Sequence, residues 1–178
     1  MDEQGMQVEL LPEQLKALAA EGKTAKYVYT VPNHQNPAGV SLSLERRHLL
    51  AELAVEHDLL IVEDDPYGLL DFSGEVLPSL RELVPDRVVY VGTMSKTFGP
   101  GVRTGWVAAP RPIRDKLVLL REAGDLCPSN FTQMVVERWL VTQPWREQVK
   151  RFQGVYHEKA EAMLGALAAT MPEGVHWT

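Results

Sequence analysis

The sequence is poor in cysteine, in long apolar runs and in clustered basic residues. Cys127 is the only cysteine among 178 residues, which excludes an internal disulfide bond and a thiolate metal cluster, and we expect it to be a small core residue. No apolar run is long enough to span a membrane, and the start, MDEQGMQVEL, is too acidic and polar for a signal peptide. The formal net charge is −6 and the basic residues are scattered, which argues against a nucleic-acid surface. These absences predict a cytoplasmic protein that binds neither membranes nor nucleic acid and holds no metal.

What the sequence does contain is typical of a folded globular protein. Hydrophobic residues make up 45% and charged residues 24%, so disorder is not expected. Strands and helices alternate as far as Val91, which predicts an α/β fold with mostly parallel strands. The predicted strands cover 25–31, 59–62, 88–91 and 105–109, and the predicted helices cover 12–21, 44–56, 78–83, 113–122, 131–141 and 145–170.

The carboxyl-terminal part is predicted to be one long helix followed by the start of a strand. Apolar residues recur in this helix at a spacing of three to four, which indicates core or helix packing rather than a ligand site. The strand start is Val175 to Thr178, with no partner to pair it, and no strand precedes the first predicted helix. The sequence therefore looks like an excised segment. The apolar residues of the helix are Trp145, Val149, Phe152, Tyr156, Ala160, Met163 and Leu167.

Polar residues able to carry chemistry follow three of the predicted strands. Asn36 comes after the first strand, Asp64 and Tyr67 after the second, and Lys96 and Arg103 after the third. Because the carboxyl ends of parallel strands meet at one edge of a sheet, where ligands bind, we expect these side chains to converge. An amide, a carboxylate, a phenol, an amine and a guanidinium at one place are hard to explain as packing, so this edge is the predicted site.

The stretch VVYVGTMSKTFGPGVRTGW is the centre of this prediction. Lys96 follows a buried strand, is flanked by the hydroxyls of Thr93 and Ser95, and is followed by Arg103. Such a lysine can hold an anion, or it can act as an amine nucleophile in a dry pocket. A phosphate-binding P-loop is excluded, because that motif needs glycine at the positions of Ser95 and Tyr90.

Three segments, VPNHQNPAGV, VEDDPYGLL and GTMSKTFGPGVRTGW, resemble the class I/II aminotransferases of the fold-type I pyridoxal-phosphate (PLP) superfamily. The nearest branch contains the 2-aminoadipate, kynurenine and aromatic aminotransferases, and the resemblance runs from Val8 to Trp177. It implies a three-layer α/β fold with a mostly parallel sheet, the large domain of these enzymes, incomplete at both ends. Residues 1–144 would be part of the PLP-binding large domain, and residues 145–178 a connecting helix and the start of a truncated small domain.

The resemblance also implies pyridoxal 5'-phosphate as the cofactor and gives four residues a part in the chemistry. Lys96 would be the Schiff-base lysine and would move a proton between the substrate and the cofactor, with burial keeping its amine neutral. Asp64 would pair with the protonated pyridine nitrogen, whereas Glu63 and Asp65 beside it would be plain solvated carboxylates. Asn36 and Tyr67 would hydrogen-bond the 3′ oxygen of the ring.

The phosphate group of the cofactor would be held by the residues around the lysine. Thr93, which stands where the family usually has serine, would bind the phosphate together with Ser95 and Arg103. Gly99 and Gly101 would let the backbone turn closely around this anion.

The implied function is transfer of an amino group from an L-amino acid to a 2-oxo acid, with 2-oxoglutarate expected as the acceptor, by a homodimer. One alternative is the PLP-binding effector domain of a MocR-type transcription regulator, although those proteins tend to show HQYPTG and EDDYDSEF at the equivalent motifs. The other alternative is an inactive, truncated remnant. Family members are longer, and their additional parts supply an aromatic residue that stacks on the ring and an arginine that binds the substrate carboxylate.

Overall fold

A computed structural model describes residues 1–177 and contains a mixed β-sheet. In this part of the chain the sheet has four strands in the order β1-β2-β3-β4. The first three strands are parallel to one another, as the sequence predicts, and β4 runs antiparallel to β3. The strands are β1 (Tyr27–Thr30), β2 (Leu60–Asp64), β3 (Val88–Thr93) and β4 (Gly105–Ala108).

The helices cover the stretches that the sequence predicts, with small differences at their ends. Three begin at a serine whose hydroxyl accepts a backbone N–H of the first turn: Ser43, Ser79 and Ser129. The helices are α1 (Leu11–Ala20), α2 (Leu44–Glu56), α3 (Leu80–Leu83), α4 (Arg111–Asp125), α5 (Asn130–Thr142) and α6 (Trp145–Thr170).

Two strands run further toward the predicted site than the sequence indicates. β2 continues to Asp64, which pairs with Val91 of β3. β3 continues to Thr93, which pairs with Gly105 of β4. Ladder pairing with a neighbouring strand keeps Asp64 extended although aspartate by itself favours turns, whereas threonine already favours strands. Asp64 and Thr93 are therefore strand residues, held more rigidly than loop residues would be.

The hydrophobic core lies between the sheet and the helices of the amino-terminal half. Helix α2 packs against α3 and against a 3₁₀ turn at Val8–Leu10, and α3 packs against β2 and β3. The apolar residues buried there form one cluster: Val8, Leu42, Leu50, Leu53, Ala54, Leu59, Ile61, Leu80 and Val88. This core supports the strands whose carboxyl ends carry the predicted site.

The carboxyl-terminal part of the chain overturns two smaller predictions. Cys127 is exposed and is not a core residue, because it follows the end of α4 where nothing covers it within residues 1–177. Of the apolar stripe on α6, Val149 is buried and Tyr156 and Met163 are exposed, and the other four residues are partly buried, so most of the stripe is at least partly covered, as the packing prediction expects. The predicted strand start is also wrong for residues 175–177, which form no strand, and Thr178 lies outside the described residues. Among the described residues, no helix combines the length and the hydrophobicity needed to cross a bilayer.

Candidate active site

The carboxyl end of β2 presents Asp64 at the sheet edge. The Tyr29 hydroxyl, from the neighbouring strand β1, donates a hydrogen bond to Asp64 Oδ2 over 2.6 Å. This bond to a carboxylate, together with partial burial, raises the pKa of the Tyr29 phenol to about 12. Asp64 is half-buried and its orientation is set from β1, a contact that the sequence analysis did not foresee.

Lys96 and Tyr67 come together at the same edge. The Lys96 Nζ atom lies 5.6 Å from the centroid of the Tyr67 ring, within the range of a cation–π contact. The two residues follow β3 and β2 respectively, so their contact depends on the parallel pairing of these strands. The dry surroundings predicted for Lys96 are not provided by this chain, because its side chain is exposed. No part of residues 1–177 covers the amine.

Hydroxyl groups and a guanidinium lie around the turn that connects β3 to β4. Thr93 Oγ1 donates to Ser95 Oγ over 3.0 Å and accepts the Ser95 backbone N–H over 3.1 Å. The antiparallel pairing continues one residue past the strands through a bond of 3.0 Å from Met94 N to Thr104 O, and Arg103 directly precedes Thr104. Hydroxyl, amide and guanidinium donors in one turn suit an anion.

The backbone of this turn differs in detail from the prediction. Arg103 adopts a left-handed conformation with φ 49° and ψ 39°, which points the chain back toward β4. Its Nη1 donates to the Pro100 carbonyl over 3.3 Å, and the side chain is otherwise exposed. Gly99, with φ 171°, is in an extended conformation that any residue adopts, and a Cβ atom at Gly99 or Gly101 would meet open space. These glycines are therefore not required by the geometry of the described residues.

Asn36, like Arg103, is a predicted site residue whose side chain makes no hydrogen bond to the other predicted site residues within residues 1–177. It lies in an exposed turn before α2, where its carbonyl accepts a hydrogen bond of 2.8 Å from Gln35 Nε2. Within residues 1–177 its side-chain amide makes no hydrogen bond to Asp64, Tyr67 or Lys96. Its loop is nevertheless attached to the same sheet edge through Asn33, which hydrogen-bonds Asp65.

The carboxylates on either side of Asp64 are not the solvated groups that the sequence analysis expected. Glu63 is fully buried and accepts the backbone N–H groups of Leu80 and Arg81, each over 2.9 Å, at the start of α3. Burial raises its pKa above the ordinary value. Asp65 is half-buried and accepts hydrogen bonds from three residues. The alternation of side chains along β2 was a usable signal, since it places Glu63 on the same face as the buried Ile61.

With this geometry in view, comparison with known proteins identifies the family. The family model described as aminotransferase class I and II matches residues 2–177. The chain belongs to this family. The resemblance in the sequence motifs is confirmed, and so is the fold class, because solved aminotransferases superpose on essentially the whole chain.

Three similar proteins show the extent of the match. The aromatic-amino-acid aminotransferase 1 of Thermococcus litoralis is 41% identical over 179 residues, covering 100% of this chain and 43% of its own length. A structure of the Pyrococcus horikoshii kynurenine aminotransferase in complex with PMP is 43% identical with a TM-score of 0.96, covering 100% of this chain and 44% of its own. A structure of the alpha-aminoadipate aminotransferase of Thermus thermophilus, complexed with N-(5'-phosphopyridoxyl)-L-leucine, is 35% identical with a TM-score of 0.90, covering 99% and 45%. This chain thus spans less than half the length of these relatives.

Proposed function

We propose that this chain carries the cofactor-binding centre of a PLP-dependent aminotransferase, which transfers an amino group from an L-amino acid to a 2-oxo acid, with 2-oxoglutarate as the expected acceptor. The observation that carries the proposal is the position of the Lys96 amine beside Tyr67, at the sheet edge where β2 presents Asp64. Membership of the aminotransferase family supports the reaction class.

The donor set of the described residues fits PLP. The hydroxyls of Thr93 and Ser95 and the guanidinium of Arg103 suit its phosphate at the β3–β4 turn. Asp64 engages Tyr29 through Oδ2, so that, among the described residues, Oδ1 is available to a protonated ring nitrogen. The amine of Lys96, which follows β3 and lies beside Tyr67, is able to anchor the aldehyde of the cofactor.

In this proposal each residue has a defined task. PLP, when bound, supplies a ring that accepts the electrons released at the substrate Cα. The Asp64 carboxylate keeps the ring nitrogen protonated, which strengthens that capacity. Tyr67 and Asn36 donate hydrogen bonds to the 3′ oxygen and set the tilt of the ring. Lys96 Nζ accepts the proton from the substrate Cα and returns it on the cofactor side, as a general base and then a general acid.

The substrate class and the assembly are further parts of the proposal. The three relatives described above are named for aromatic amino acids, kynurenine and aminoadipate, which supports an L-amino acid as the amino donor. A homodimer in the cytoplasm, and a division between a large domain at 1–144 and a further part at 145–178, remain predictions.

The test is to mix the purified chain with PLP, reduce it with borohydride, and locate the pyridoxyl group by mass spectrometry. We expect the adduct on Lys96, its loss in Lys96→Ala, and its persistence in Lys116→Ala, which removes an exposed lysine on α4. Adducts spread evenly over the lysines of the folded chain, or none at all, would contradict the proposal for this chain.

The same experiment separates the alternatives. Selective labelling of Lys96 followed by transfer of the amino group to a 2-oxo acid supports the enzyme. Selective labelling without transfer to any 2-oxo acid would favour the effector domain of a MocR-type regulator or an inactive remnant.

A further inference from the structure

Asp65, next to the predicted Asp64, connects three separate elements of the site. Its Oδ1 accepts hydrogen bonds from Asn33 Nδ2 and from the Gly68 backbone N–H, each over 2.9 Å. Its Oδ2 accepts the hydroxyl of Tyr90, on β3, over 3.0 Å. One carboxylate therefore joins the loop after β1, the loop after β2 and strand β3.

Asn33 extends this connection to helix α2. The Asn33 Oδ1 atom accepts a hydrogen bond of 2.6 Å from Nη2 of Arg47, a residue with 0% exposure. The guanidinium of Arg47 is itself fixed, because it donates to three backbone carbonyls at distances of 2.9 to 3.1 Å. These belong to Leu42, Pro78 and Pro32. The loop that carries Asn36 is thus anchored at its first residue.

Gly68 is required by the close approach of these groups. A Cβ atom at Gly68 would lie 2.7 Å from each Asp65 carboxylate oxygen and 2.8 Å from Asn33 Nδ2. A side chain there would therefore separate Asp65 from Asn33. Tyr67, which approaches Lys96, directly precedes this glycine, so the packing that holds Gly68 also limits where Tyr67 can lie.

We propose that Asp65 and Asn33 are positioning residues that hold Tyr67 and the Asn36 loop at a set distance from β3, and hence from Lys96. This inference rests on the proposed function. Hydrogen bonds are directional, so a carboxylate with three donors fixes the relative orientation of three chain segments more closely than apolar contact does. Asp65 touches none of the reacting groups and acts through Tyr67 and the Asn36 loop.

The state of Tyr90 supports this arrangement. Burial, followed by the charge of Asp65, raises the pKa of the Tyr90 phenol above its ordinary value. The hydroxyl therefore stays protonated and remains a donor to Asp65 over the whole physiological range.

A charge swap between the two residues tests the inference. In Asp65→Asn, the new amide cannot accept all three hydrogen bonds, and we expect PLP to bind about tenfold more weakly in an absorbance titration. In Asn33→Asp, two carboxylates face each other and the loss is larger. The double variant pairs the new amide with the new carboxylate, which now faces Arg47, but the amide nitrogen cannot accept the Gly68 N–H. It should therefore bind PLP more tightly than Asn33→Asp and more weakly than the unaltered chain. Asp86→Asn, at an exposed residue, is the matched control.

A role in folding alone predicts a different result. If Asp65→Asn lowered the denaturation midpoint but left PLP affinity unchanged, or if the double variant bound PLP as poorly as the worse single variant, the positioning role would be wrong. Failure of the proposed function itself would appear as an absence of PLP binding in the unaltered chain. In that case, amide hydrogen exchange measured without PLP tests the positioning role. Amides in 34–41 and 66–70 should exchange faster in Asp65→Asn than in the unaltered chain, and unchanged exchange would overturn the positioning role.

Discussion

The amino-terminal and carboxyl-terminal halves of this chain bury their apolar side chains to very different extents. The main core cluster lies entirely between Val8 and Val88. In and between the three helices after β4, the apolar residues that are buried are Val136 and Val149, while Leu120, Leu126 and Phe131 expose 68%, 77% and 76% of their surface. Composition does not explain the difference, since both halves contain amphipathic helices.

The difference shows what supports the candidate active site. Asp64, Tyr67 and Lys96 are attached to strands that the packed core holds in place. Helix α6 reaches the site loops through two glutamines: Gln148 Nε2 contacts the Thr97 carbonyl at 3.4 Å, and Gln153 Nε2 contacts the Leu69 carbonyl at 3.0 Å. Elements with few buried apolar contacts open locally at a lower free energy. In this chain, the site therefore depends mainly on the amino-terminal core.

The largest expected effect comes from comparing one leucine in each half. Leu50→Ala, on α2, should lower the free energy of unfolding by about 2 to 5 kcal/mol, because it leaves a cavity at a position with 0% exposure. Leu120→Ala, on α4, should change it by no more than about 0.5 kcal/mol. Urea unfolding followed by circular dichroism measures both. Equal losses in the two variants would mean that α4 is packed as tightly as α2.

A smaller effect is expected at the buried carboxylate of β2. Burial is the main reason that the folded-state pKa of Glu63 is raised above 4.5. The protonated carboxyl therefore adds to the free energy of unfolding below pH 4.5, and this stabilisation is lost as the pH rises through the folded-state pKa. In acid, Glu63→Gln should lower the free energy of unfolding by about 1 kcal/mol, because the amide has one oxygen where the carboxyl accepts two backbone N–H groups. This loss of stability should become smaller toward neutral pH. Unfolding midpoints of the variant and of the unaltered chain, measured from acid to neutral pH, give this difference in stability.

The control for this prediction lies in the exposed half. Glu122→Gln, on α4, removes a carboxylate that is exposed, and its unfolding midpoint should follow the unaltered chain at every pH. A cost for Glu63→Gln that grows as the pH rises would show that Glu63 is stabilised in its charged form, contrary to the effect of burial.

The smallest effect is expected at Tyr29, whose phenol donates a hydrogen bond to Asp64. Because the folded-state pKa of Tyr29 is raised from 10.0 to about 12, its hydrogen bond stabilises the fold below pH 10 and this contribution is lost as the pH rises through about 12. Tyr29→Phe should remove the ionisation step near pH 12 from the ultraviolet titration of the folded chain. Tyr27→Phe, in the same strand, should keep that step. Retention of the step in Tyr29→Phe would assign it to another tyrosine and remove the evidence for the bond to Asp64.

The sequence predicted the position of every strand and helix of four or more residues, because periodic apolar residues and helix caps act locally. Ser43 is one example: its hydroxyl caps α2 through a bond within four residues, so the signal is contained in the segment itself. The α/β class followed from the alternation of these segments. The antiparallel direction of β4 did not follow, because it depends on how the turn after Lys96 folds back on β3.

In the candidate site, too, some features could be predicted from the sequence and others depend on tertiary packing. The motifs around Asn36, Asp64 and Lys96 led to the aminotransferase family, since the order and spacing of residue types are properties of the sequence. The exposure of Lys96 and Cys127 could not be read in this way, because it depends on which distant segments cover them.

The consecutive residues Glu63, Asp64 and Asp65 show most clearly what each level decides. The sequence by itself determined that three carboxylates end a buried strand and that one of them belongs to a family motif. Only the tertiary structure decided that Glu63 binds the start of α3, that Asp64 faces Tyr29, and that Asp65 joins two loops to β3. The physical reason is that hydrogen-bond partners separated by 17 to 35 residues are brought together by strand pairing and core packing, which no local pattern encodes.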